Sequence, residues 1–273
     1  MFDLLVKHGK IMDGTGNPWF FGNVAIKDGK IEKVGFIDSS SAQQVIDAKG
    51  LVVAPGFVDI HTHADFILPL KEHSKILEPF VHQGITTVVT GNCGYSTAPI
   101  NQGTLDLLKK YSAFLQGREL SWEWLDMKGY LDFIEKQGVA YNVVPLVAHG
   151  TIRIYVKGFD SSPATSSEKG KMAKLAGEAM EQGAFGLSAG LIYPPGSYSD
   201  TDELIAICKP LKNFGGVFTC HLRGESEILL SATKEIIKVG ETNGIAVEHS
   251  HLETYGEEYW PQRDRLLALH DEA

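Results

Sequence analysis

Positive charge is in short supply: 25 lysines and arginines face 34 aspartates and glutamates, giving a formal net charge of -9 and a pI near 5.6. A partner held through its phosphate backbone calls for a basic stripe or domain, so the balance argues against nucleic acid as a ligand. Cysteine is scarce as well. Cys93, Cys208 and Cys220 are too few and too scattered for a disulfide framework, so each is either core filler or chemistry. No apolar run reaches bilayer-spanning length. Residues 1–10 read as a strand and turn, without the basic region and apolar core of a signal peptide. No membrane partner is expected, and the cytoplasm is the expected location. Internal repeats and low-complexity tracts are also lacking. What remains is 273 residues with 43% hydrophobic content, enough for one large α/β domain and a small appendage.

Residues 1–50 alternate in short strands (3–7, 23–27, 30–34) separated by Asp13-Gly14 and Asp28-Gly29, the pattern of a small antiparallel β-rich appendage. From residue 51 onward apolar strands at 57–60, 86–90, 141–148, 184–188, 217–220 and 245–248 alternate with helices at 71–83, 105–115, 123–137, 166–182, 202–213 and 225–242. Such alternation specifies parallel strands joined by right-handed crossovers. Six βα units suit either an open doubly wound sheet or a (β/α)8 TIM-type barrel lacking its last two units, and periodicity does not separate these. Residues 266–273 lie inside an amphipathic pattern with no helix stop signal after it, which favours the truncated barrel. The expectation is therefore an N-terminal appendage over 1–50 and an incomplete barrel over 51–273.

The strongest local signal is Pro55-Gly56-Phe57-Val58-Asp59-Ile60-His61-Thr62-His63, where alternation along an extended strand turns both imidazoles the same way. Barrel enzymes place catalytic groups at the C-terminal ends of buried parallel strands, and neutral imidazole is a common zinc ligand. A bare His-x-His could equally be two solvated loop histidines. The fifth and sixth strands, however, also end in histidine, at His221 and at His249-Ser250-His251. Three strand ends then bring four or five imidazoles to one rim, which favours metal. The fourth strand offers no lysine to be carboxylated as a bridging anion. The second ends in Gly91-Asn92-Cys93-Gly94, where a thiolate could ligate or bridge zinc, while Cys208 and Cys220 sit in apolar segments as packing. Two other motifs are set aside. Gly186-Leu187-Ser188-Ala189-Gly190 matches a nucleophile elbow, but Leu191-Ile192-Tyr193-Pro194-Pro195 follows where a helix should begin. Asp13-Gly14-Thr15-Gly16-Asn17 lacks the third glycine and the helix of a dinucleotide loop.

These segments, together with Gly84-Ile85-Thr86-Thr87-Val88-Val89, His149-Gly150-Thr151-Ile152-Arg153, Gly186 through Gly196, His221-Leu222-Arg223 and Ser250-His251-Leu252, form an ordered set. The set resembles the D-aminoacylase, or N-acyl-D-amino-acid deacylase, branch of the amidohydrolase superfamily over essentially the whole chain. The resemblance implies a metal-dependent hydrolase acting on a linear amide of a small N-acyl amino-acid-like substrate through a metal-activated water. It implies a tight zinc held by Cys93, His221 and His251, and a second, weaker metal position at His61 and His63. Tyr193 and Arg223 would bind substrate. Two departures stand out. Members usually carry a lysine for the substrate carboxylate two residues after the position of His251, and here that residue is Glu253. Members also use an aspartate after the eighth strand as general acid and base, which places that residue beyond Ala273. The rival readings are a ring-opening amidohydrolase of the dihydropyrimidinase or dihydroorotase type, for which Lys157 in the loop after the third strand is a poor bridging lysine, and a zinc-binding chain that does not turn over substrate.

Overall fold

The computed structural model describes residues 1–37 and 42–273, in two units, Met1–Phe57 and Val58–Ala273. The first unit is a five-stranded sheet built on β1 (Phe2–Ile11), with β2 (Phe20–Lys27), β3 (Lys30–Gly35), β4 (Ala42–Asp47) and β5 (Val52–Val53). The β1–β2 and β2–β3 pairs are antiparallel, as the turn signals require. The sheet as a whole is mixed, which corrects the antiparallel expectation. β1 is long enough to take β4 along its first half and β5 along its second, and both pair parallel to it. Leu5 and Ala25, opposite each other across the β1–β2 pair, are fully buried on one face, and Val24 is buried on the other.

The second unit is a six-stranded sheet of β6 (Phe57–Asp59), β7 (Ile85–Thr90), β8 (Asn142–Ala148), β9 (Gly186–Gly190), β10 (Val217–His221) and β11 (Ala246–Ser250), laid side by side in chain order. The pairings from β7 through β11 are all parallel. A doubly wound sheet reverses its strand order at a switch point. This one does not, so that alternative falls. β9 lies inside the sheet with every residue buried, its glycines letting neighbouring backbone approach.

Around the sheet run α1 (His73–Ile76), α2 (Glu78–His82), α3 (Leu105–Tyr111), α4 (Met127–Gln137), α5 (His149–Lys157), α6 (Ser166–Glu181), α7 (Thr201–Cys208), α8 (Leu229–Asn243) and α9 (Arg263–Glu272). The expected helix at 71–83 is two short helices, the second with Pro79 in its first turn. α4 begins later than expected because Asp126 caps it, accepting a hydrogen bond from the Gly129 N–H at 2.8 Å. α6 opens with a reciprocal capping box between Thr165 and Glu168. α5 is an addition: it follows β8 directly, so Lys157 is the last residue of a helix rather than part of a loop. No described helix is long and apolar enough to cross a membrane.

α5 is anchored to α7 by a fully buried polar group. His149 Nε2 lies 2.8 Å from Glu203 Oε1, and Arg153 Nε donates to the same oxygen at 3.1 Å. Arg153 spends its other donors on the Asp160 and Ser162 carbonyls. Burial alone would raise the Glu203 carboxyl, but the His149 hydrogen bond and the adjacent His149 and Arg153 outweigh it and hold the carboxyl low. Removing one partner strands the others without solvent. Glu203→Ala is accordingly expected to cost about 3–5 kcal/mol in urea unfolding; a loss below about 1 kcal/mol would mean that the helices are held by apolar packing alone.

Candidate metal centre

The strand ends carry the side chains that sequence reasoning singled out. β6 stops at Asp59, but its pairing with β7 continues: the Thr62 N–H and hydroxyl both donate to the Val89 carbonyl, at 3.0 and 2.8 Å. The chain bends at Ile60 and His61 rather than continuing as an extended strand, yet both rings come within reach of Cys93, 5.9 Å apart between centroids. His221 is the last residue of β10, and His251 follows β11 directly. Cys93 sits in the loop after β7, its Sγ 3.1 Å from His61 Nε2 and 3.3 Å from His251 Nε2. Two overlapping donor sets result, His61-His63-Cys93 and Cys93-His221-His251, each with its ligand atoms within 4.8 Å of one another. Cys93 is common to both.

The thiol is positioned by the loop that carries it. Cys93 takes a left-handed backbone conformation, φ 54°, which is uncommon outside glycine. Its neighbour Gly91 has φ 79°, and a Cβ there would stand 2.1 Å from the Leu146 carbonyl oxygen of β8. Across the loop, a Cβ on Gly190 would stand 2.2 Å from the Cys93 carbonyl oxygen, so only glycine lets β9 come this close. Ser188 fixes the loop from β9: its hydroxyl donates to the Gly91 carbonyl and accepts from the Gly94 N–H at 3.0 Å. The elbow-like motif is therefore a buried clamp, with its hydroxyl engaged on both sides. Tyr111 donates to the Gly94 carbonyl at 3.1 Å and Tyr193 to the Cys93 carbonyl at 2.5 Å. His251, φ 58°, is a second site residue in the left-handed region.

Electrostatically the cluster suits a cation and lacks one of its own. Burial, reinforced by mutual repulsion, lowers His61, His63 and His221 to about 4, so each imidazole is neutral with a free lone pair at neutral pH. Burial pushes the Cys93 thiol up to about 12, offset in part by the Tyr193 hydroxyl. His63 Nδ1 is buried without a hydrogen-bond partner, and so are both oxygens of Asp65. A thiol, four imidazoles and an orphaned imidazole nitrogen form the donor chemistry of a zinc site. Residues 44–217 match the amidohydrolase family. The chain belongs to that family.

Among curated proteins, the chain is 38% identical to an N-acyl-D-aspartate deacylase of Alcaligenes xylosoxydans xylosoxydans over 93% of its own length and 50% of that protein's. Among solved structures it matches a D-aminoacylase, studied for the functional role of its binuclear metal centre, at TM-score 0.88 and 34% identity, covering 100% of this chain and 56% of that one. It also matches the N-acyl-D-glutamate deacylase of Bordetella bronchiseptica, complexed with zinc and a phosphonate mimic of the reaction's tetrahedral intermediate, at TM-score 0.88 and 31% identity, covering 99% and 56%. The chain thus spans about half the length of the curated relatives it matches.

Not every singled-out residue joins this amidohydrolase cluster. His249 points away, with Nδ1 3.0 Å from His270 Nε2. Arg223 is tied to both oxygens of Glu235 at 3.0 Å and to the Ser197 and Ser199 carbonyls, so its guanidinium braces the loop that follows Tyr193. The Tyr193 ring lies 5.4 Å from that of His221, tilted 57° to it. Lys157 Nζ is engaged by Glu168 at 3.0 Å. Two buried residues at the cluster carried no sequence signal: Ser188, whose motif pointed to another chemistry, and Glu225, read as the first turn of a helix that begins only at Leu229. Loss of the Ser188 clamp leaves the Gly94 N–H unpaired in the interior. Ser188→Ala is expected to lower stability by about 1–3 kcal/mol and to weaken zinc binding in a chelator-competition titration, whereas unchanged zinc affinity would show that the glycine loop holds Cys93 unaided.

Proposed function

We propose that this chain carries the metal centre of a zinc-dependent hydrolase that cleaves the N-acyl amide of an amino-acid-like substrate, with Cys93, His221 and His251 holding a tight zinc and His61 and His63 a second, weaker one. The observation that carries this reading is one thiol shared between two imidazole sets that come from opposite sides of the six-stranded sheet. Relatives named as N-acyl-D-amino-acid deacylases support the same class of reaction. In this reading the six parallel strands are the first six of a (β/α)8 barrel, residues 1–50 are its β-rich appendage, and an aspartate beyond Ala273 acts as general acid and base.

When bound, zinc polarises the scissile carbonyl and brings the pKa of a water towards neutrality. The chain's own residues set up that chemistry. His61, His63, His221 and His251 would donate lone pairs, Ser188 and the glycine loop hold the thiol, and Tyr193 at the rim orients the substrate. Arg223 contributes by bracing residues 197–199 behind Tyr193. Burial raises the Glu225 carboxyl and the nearby Glu253 adds to the effect, so this side of the rim carries two acidic residues close together. A substrate carboxylate is disfavoured there. No lysine ends β9, so no observation favours the ring-opening alternative.

The test is to load the protein produced from its native gene with zinc and follow amine release from a panel of N-acetyl-D-amino acids. Release that vanishes with a chelator and in Cys93→Ser is expected; zinc binding without release from any member would replace hydrolysis by the non-catalytic reading. In the active protein, Glu253→Lys is expected to lower KM for carboxylate-bearing substrates on the order of tenfold, as a repulsive contact becomes attractive. An unchanged KM across the panel would place the substrate carboxylate elsewhere.

A further inference from the structure

Glu225 has no place in the donor sets, yet it is one of the least comfortable residues in the fold. Its side chain is 1% exposed, and neither carboxylate oxygen has a hydrogen-bond partner. The expected cation, Arg223, is two residues away in sequence but is committed to Glu235. A buried carboxylate without donors is strongly disfavoured, because nothing replaces the hydrogen bonds it made to water. The segment that carries it is pinned, since the Glu225 carbonyl accepts from the Tyr255 N–H at 2.8 Å and the Ser226 carbonyl from Gln262. The carboxylate is aimed at the metal centre: Oε1 stands 3.7 Å from His221 Nε2.

We propose that Glu225 is a positioning residue for the metal centre, taking the Nε2–H of His221 and leaving Nδ1 as the lone pair offered to zinc. The inference rests on the zinc reading above. An imidazole has two nitrogens, and a carboxylate accepting from one fixes the tautomer, sets the ring plane and raises the basicity of the other. His221 otherwise has no hydrogen-bond partner that would choose between its tautomers among the described residues. Closing the 3.7 Å gap to an ordinary charge-assisted length of about 2.8 Å takes a ring shift of about 1 Å, which a metal drawing on Nδ1 would favour. His221 and Glu225 stand four residues apart across the turn after β10. The titratable groups around Glu225 are His221, 3.7 Å from its Oε1, and, close enough to interact with it electrostatically, Cys93 and, from the segment after β11, Glu253 and Tyr255. Burial raises the Glu225 carboxyl and Glu253 adds to the effect.

The experiment is long-range 1H–15N correlation NMR of the histidine rings in the metal-free and zinc-loaded protein, together with zinc affinities of Glu225→Ala and Glu225→Gln by chelator competition. The expected result is an Nε2–H tautomer at His221 in both forms, with the zinc-induced shift on Nδ1. Affinity is expected to drop about 10–100-fold in Glu225→Ala and to recover to within about threefold of wild type in Glu225→Gln, whose amide oxygen still accepts. A purely structural role would lower stability in both variants without moving the tautomer. An Nδ1–H tautomer, or a Glu225→Gln variant as weak as Glu225→Ala, would overturn the proposal, the latter by making the carboxylate itself a ligand. If no zinc binds to the wild type, the zinc reading fails, and the metal-free tautomer still decides whether Glu225 holds His221.

Discussion

The metal centre depends on how closely β9 can approach the loop after β7. Ser188 must reach both the Gly91 carbonyl and the Gly94 N–H, and the Cys93 carbonyl must come against Gly190. Any side chain at Gly91 or Gly190 would push these backbones apart. Cys93 would move with them, and Cys93 is the donor that both candidate sets share. Cores are close-packed and do not absorb such a shift locally. β9 is therefore specified less by hydrophobic pattern than by the absence of side chains facing the loop, with one hydroxyl as the exception.

This explains which parts were legible in the sequence. Strand ends carrying histidine could be read because alternation in a strand and burial at its end are one-dimensional properties: His61, His63, His221 and His251 all converge where apolar runs stop. Cys93 could be read from its flanking glycines. The strand order also followed from the alternation of strands and helices, although the choice between a reversing and a sequential order needed the pairings themselves. By contrast, Ser188 and Glu225 act through contacts that link distant strands or cross a turn. The Gly-x-Ser-x-Gly pattern misdirects, since the same glycines that would permit a sharp elbow here permit close strand packing. The left-handed φ of Cys93 and His251 had no sequence signal, because neither residue type requires it.

The helices diverge from expectation for a related reason. α5 follows β8 without an intervening loop, and its run of Ile152, Ile154 and Val156 reads as strand-like by propensity. The buried His149, Arg153 and Glu203 override that preference, because both side chains reach the same Glu203 oxygen with Arg153 one helical turn beyond His149 and both facing α7. α8 starts late for the opposite reason: residues 225–228 are held by contacts to the segment after β11, and a helix over them would withdraw Glu225 from His221.

The same logic bears on specificity. A binuclear-type donor set concentrates potential positive charge, and a fold of net charge -9 can place counter-charge around it in many ways. Here Glu225 lies buried behind His221, whereas Glu253 lies exposed at the rim. A buried carboxylate beside a ligand tunes the ligand, because its field is little screened and its geometry is fixed; an exposed one acts on whatever enters the site, through a field that water weakens. Two acidic residues close enough to influence each other thus have separable effects. In the proposed reading the inner one bears on how tightly a metal is held, and the outer one on which substrates approach it, so the departure at Glu253 would alter substrate preference without dismantling the donor sets.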